Sequence, residues 1–123
     1  MRTAALLFGA ALGLAAPVQA QEECRLALVL GLDVSASVDA AEYRLQLEGL
    51  AASLIHPSVV EAALSGNGRV ALSIYEWSGR FQQDVLIDWT LIHSEAELVT
   101  IAEWVLRATR SHEDFPTAIG YAL

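Results

Sequence analysis

The chain has 123 residues, 15 of them acidic and 7 basic, for a formal charge of −8. Every basic residue is Arg, and an acidic chain with no basic cluster is a poor partner for nucleic acid or an anionic membrane surface. The apolar content of 54% lies above that of disordered chains, and the length allows one domain at most.

The N-terminal segment stands apart. Arg2 gives a short positive start, residues 4–16 form an apolar run, and Pro17-Val18-Gln19-Ala20 ends in small residues. This is the pattern of a secretory signal peptide cleaved after Ala20, so an exported protein, periplasmic or extracellular, is expected. The run is short of the ~20 residues that span a bilayer, so no stable membrane anchor is expected. Residues 1–20 are read as the signal and 21–123 as the mature domain. One cysteine, Cys24, remains. In an oxidising compartment it implies a partner cysteine missing from this chain, or else a small buried thiol.

Arg25 to Asp33 is a continuous apolar run that stops at an acidic residue, which fits a central strand covered on both faces. Asp39 to about Ile55 reads as a helix, with Asp39 and Glu42 forming a capping box and Tyr43, Leu47, Leu50 and Leu54 on one face. His56-Pro57 breaks it, and Ser58 to Leu64 continues as a short helical piece. Ser65-Gly66-Asn67-Gly68 is a turn. Arg69 to Trp77 is a second strand, parallel to the first across a helical crossover. Asp84 to Trp89 is a third, and the short connection makes it antiparallel to the second. Ser94 and Glu97 cap another helix whose apolar residues are Leu98, Ile101, Ala102, Val105 and Leu106. Residues 107–110 place Arg107 and Arg110 near its negative end. After a polar loop, Thr117 to Leu123 begins a further helix.

This order is the first half of an open α/β sheet, mostly parallel with one antiparallel edge strand. A further strand is expected beside the first, whose apolar sequence is not that of a protected edge. The chain is therefore read as truncated.

Asp33, Ser35 and Ser37 sit where the first strand ends, the side of an open α/β sheet on which ligands bind. A carboxylate and two hydroxyls at alternate positions are hard oxygen donors suited to Mg²⁺, Mn²⁺ or Ca²⁺. The plain alternative is that they cap a turn and the following helix. Trp77-Ser78-Gly79 lacks the spacing of a nucleophile elbow. An aspartyl phosphatase would want a second Asp where Ser35 stands. His56, His93 and His112 have no ligand spacing and read as surface or helix-end residues, while His112-Glu113-Asp114 reads as a solvated loop beside Thr117. Trp77, Trp89 and Trp104 are expected to pack against the sheet.

The apolar strand, the Asp33-Val34-Ser35-Ala36-Ser37 loop, the element order and the Thr117 loop together resemble the von Willebrand factor A domain. The stretch from Arg25 to Leu123, including Glu76-Trp77-Ser78-Gly79, is similar to an uncharacterised bacterial family of exported proteins with that fold. The resemblance covers the mature chain and about half of a complete domain. It implies a three-layer open sheet of Rossmann-like type. It also implies a metal-ion-dependent adhesion site built from Asp33, Ser35, Ser37 and Thr117, completed in the family by an Asp beyond a fourth strand. In such sites the hydroxyls hold the ion directly or through water, and the Asp acts through water or by holding the serines. The ion keeps an open position for a carboxylate of a protein or peptide partner. The implied function is metal-dependent binding rather than catalysis. Two other classes stand beside it: a structural or assembly protein with a vestigial metal site, and a hydrolase using Asp33 or Ser35.

Overall fold

The computed structural model describes residues 23–111 together with Pro116, Thr117, Gly120 and Ala122. The segment read as a signal peptide, His112-Glu113-Asp114 and most of the helix expected from Thr117 lie outside the described residues. The elements run β1 Cys24–Asp33, α1 Ala40–Leu54, α2 Pro57–Leu64, β2 Arg69–Trp77, β3 Gln83–Ile92 and α3 Glu95–Leu106. No described helix is long and apolar enough to cross a membrane.

Local chemistry accounts for the boundaries. Asp39 Oδ1 accepts the amides of Ala41 and Glu42, both at 2.8 Å, and Glu42 accepts the Asp39 N–H in return. Ser94 and Glu97 repeat the arrangement at α3. Each box satisfies amide donors that a helix start leaves without intrahelical acceptors. His56 caps α2, its Nδ1 accepting the Ser58 N–H at 3.3 Å, and Pro57 occupies the first turn. β3 runs three residues past the expected Trp89, because Ile92 still pairs with Val70 and is only 1% exposed.

The sheet is open and mixed, in the order β1-β2-β3. β1 and β2 are parallel, with Asp33 level with Trp77, and β2 and β3 are antiparallel. The apolar core joins Leu32 and Val34 to Leu72 and Ile74 of β2, Leu47 and Ala51 of α1, and Leu98, Ile101 and Val105 of α3. All of these helical residues belong to one cluster, so the described helices cover one face. On the other face the Tyr75 hydroxyl donates to the Ala122 carbonyl. The described sheet and helices form two layers of an α/β fold.

β1 has no described strand on the side where a further one is expected. Within the described sheet β2 is central and β1 is an edge, with Leu26 and Val29 each 46% exposed. A continuous apolar run marks a strand with two apolar faces; what lies beside it is a tertiary matter.

Candidate metal centre

The Asp33 loop leaves the carboxyl end of β1 between firm anchors. The Val34 N–H donates to the Trp77 carbonyl at 2.9 Å, extending the parallel ladder one residue past the strand. The Val34 side chain is fully buried and plugs the loop into the core. Gln46 of α1 donates to the Asp33 carbonyl at 3.0 Å. The Val38 N–H closes the turn onto the Ser35 carbonyl at 3.0 Å.

These anchors place the four expected residues. Asp33 is half-buried, and its Oδ1 accepts the Ser35 N–H at 2.9 Å, the bond of an Asx turn. Ser35 is completely buried. Its Oγ lies 3.2 Å from Ser37 Oγ and 2.5 Å from Thr117 Oγ1, while Ser37 and Thr117 are exposed. Three hydroxyls from two distant segments therefore meet beside one carboxylate. The turn-and-cap alternative is half right. Asp33 does close a turn, but α1 is capped by Asp39, so neither Ser35 nor Ser37 is needed for that purpose.

Chemically the donor set is all oxygen, hydroxyl-rich and low in charge, which fits a hard divalent ion that keeps part of its water. Among the described residues no three His, Cys, Asp or Glu side chains gather where they could share an ion.

Below the loop is a polar group that the sequence reading did not single out. Glu76, at the end of β2, is only 1% exposed. It accepts from the Tyr43 hydroxyl of α1 and from both the N–H and Oγ of Ser111, the latter at 2.9 Å. Burial, and then the hydrogen bond to Glu76, push the Tyr43 phenol well above its ordinary value, so it remains a donor. Arg110 donates to the carbonyls of Val34 and Ser35, at 3.0 and 2.6 Å through Nη2. It is thus engaged with the Asp33 loop, whereas helix α3 ends earlier, at Leu106. A signal for this group was present. Val70, Leu72, Ile74 and Glu76 alternate along β2, and a carboxylate continuing an inward apolar row must have partners.

Other expectations need correction. Cys24 is exposed, not a buried thiol. Trp77 is buried, but Trp89 and Trp104 are 55% and 61% exposed, on outward positions of β3 and α3. His56 and His93 are exposed helix-end residues, as expected.

The fold and loop define a small α/β protein with an open, mixed three-stranded sheet and a hydroxyl cluster at the carboxyl end of its first strand. The chain belongs to the family described as "Protein of unknown function (DUF1194)", whose model matches residues 23–123. No curated protein and no solved structure matches it.

Proposed function

We propose that the chain is an exported protein-binding domain of the von Willebrand factor A type that holds Mg²⁺, or Mn²⁺ or Ca²⁺, at the Asp33 loop. The carrying observation is that the Ser37 and Thr117 hydroxyls lie 3.2 Å and 2.5 Å from the hydroxyl of buried Ser35. Ser37 and Thr117 face solvent, so a ligand can reach the cluster. When bound, the ion supplies a positive centre for a carboxylate of a protein or peptide partner. Asp33 fixes the loop through the Ser35 amide, and the three hydroxyls supply neutral donors. Low ligand charge leaves the affinity for the ion weak, on the order of 0.1–1 mM.

Calorimetric titration with Mg²⁺ and Mn²⁺ tests this. Wild type binds; Asp33→Ala loses the most, because it removes both the carboxylate and the brace on Ser35. Ser35→Ala and Ser37→Ala weaken binding without unfolding the domain. Absence of wild-type binding, or an Asp33→Ala variant that binds equally well, leaves the loop as a turn only. Partner binding that survives chelation favours the structural role with a vestigial site, and turnover of a generic ester or phosphoester favours the hydrolase. Export is tested separately by N-terminal sequencing of the secreted protein: a chain starting at Gln21 is expected, and one starting at Met1 refutes it.

A further inference from the structure

Glu76 is a buried carboxylate whose partners lie at the foot of the loop. Removing a carboxylate from water is costly unless hydrogen bonds replace the hydration. Here three donors do so: the Tyr43 hydroxyl on one oxygen, and the Ser111 N–H and hydroxyl on the other. Tyr43 belongs to α1 and Glu76 to the central strand β2, so the anchor is attached to the rigid part of the fold. Ser111 belongs to the irregular segment after α3, which has no ladder of its own to hold it.

The residue beside Ser111 does the rest. Arg110 donates from Nη2 to Val34 O at 3.0 Å and to Ser35 O at 2.6 Å, with Nε also 3.3 Å from Val34 O. Its guanidinium lies over the Tyr43 ring, 5.9 Å from the centroid. These two carbonyls belong to the two peptide planes that flank the Ser35 Cα. Holding both planes fixes the φ and ψ of Ser35, and with them the direction of its Cα–Cβ bond. A planar guanidinium suits this, because it presents several donors in one rigid fork.

We infer that Glu76 and Arg110 are positioning residues for the hydroxyl cluster: Glu76 seats Ser111, which seats Arg110, which sets the Ser35 backbone. The same seating starts the run of chain that returns Thr117 to Ser35. The inference concerns the geometry of the loop and, for its effect on metal binding, rests on the reading given under Proposed function.

The experiment is amide hydrogen exchange on the full protein without metal, followed by Mn²⁺ titration read by electron paramagnetic resonance. The Ser35 amide is the reporter, because it is bonded to Asp33, and the Ile101 amide in α3 is the control. Arg110→Gln and Glu76→Gln each raise exchange at Ser35 about ten-fold while Ile101 stays unchanged. Arg110→Lys keeps the charge but loses the fork, and falls between. Mn²⁺ affinity drops in the same order, and ethylguanidinium added to Arg110→Ala restores part of it. Unchanged exchange at Ser35 in both Gln variants overturns the inference. So does an equal rise at Ile101, which would make the group a general brace of the fold. A selective rise at Ser35 in a protein whose wild type binds no Mn²⁺ upholds the positioning and overturns the metal reading.

Discussion

The Ser35 hydroxyl lies 2.5 Å from that of Thr117, although 82 positions separate them in the chain. One is completely buried and the other exposed, so Thr117 covers Ser35 from the solvent side. The pair ties the end of the first strand to the segment after the last described helix.

Replacing Thr117 by Val keeps the β-branched shape and deletes the hydroxyl. Mn²⁺ affinity is expected to fall about five- to ten-fold, the scale of one lost hydrogen-bonding donor. Because the buried Ser35 hydroxyl keeps Ser37 as a partner, stability should fall by no more than about 1 kcal/mol. Thr117→Ser should bind as wild type does. Titration and thermal melting of the three proteins check this, and equal affinity in Thr117→Val removes the residue from the ligand set.

Much of this was legible in the sequence. Both capping boxes, the strand order around the hairpin and the loop at the end of β1 follow from local rules that act over a few residues. Asp39 with Glu42, and Ser94 with Glu97, declare helix starts whatever the tertiary context. The seating of Arg110 on Val34 and Ser35 was not legible, because it spans 76 and 75 positions, and Arg near a helix end already has a sufficient local explanation. Exposure of Trp89 and Trp104 was missed for a related reason: aromatic residues suit a half-buried surface, and periodicity does not say which half.

Glu97 supplies a pH test. The His93 amide donates to its Oε2 at 2.6 Å, and this bond, ahead of the other influences, holds its carboxyl below the ordinary value near 4.5. A carboxyl lowered in the folded state stabilises the fold above its unfolded value and ceases to do so as pH falls through the folded one. Glu97→Gln should therefore be less stable than wild type above about pH 5. The margin should close below pH 4.5. The side chain is exposed enough for screening to limit it to about 0.5 kcal/mol. Thermal melts of both proteins from neutral to acid pH measure it; a margin that widens in acid would show the sign to be wrong.

Gly66 and Gly68 make a controlled comparison in one turn. Both have positive φ, 85° and 81°. A Cβ on Gly66 meets nothing within 4 Å, whereas one on Gly68 would stand 2.6 Å from the Glu23 carbonyl oxygen. Gly66→Ala should cost only the left-handed backbone term, about 1 kcal/mol. Gly68→Ala should cost at least about 1 kcal/mol more, because it also forces apart the Arg69 N–H bond to Glu23. Urea unfolding of the two variants decides the order, and equal losses would show that the backbone oxygen gives way freely.

That tight turn has a consequence at the far end of the sheet. The Arg69 N–H meets the Glu23 carbonyl at 2.7 Å, the register shifts once between Cys24 and Leu26, and from Leu26 beside Val70 the two strands climb in step until Asp33 stands level with Trp77. At roughly 3.3 Å per residue the ladder carries that alignment across about 23 Å. Two residues short of that end, Gly31 passes Tyr75 and Trp77 where a Cβ would come within 3.0 and 3.1 Å of their rings. Slipping β1 by one residue would bring Leu30 or Leu32 to that notch and reverse which side chains face the helices. The strand is keyed like a lock tumbler: a wrong alignment jams on two aromatic rings before it can misplace Asp33, and the accuracy of the hydroxyl cluster is guarded by a residue with no side chain to contribute to it.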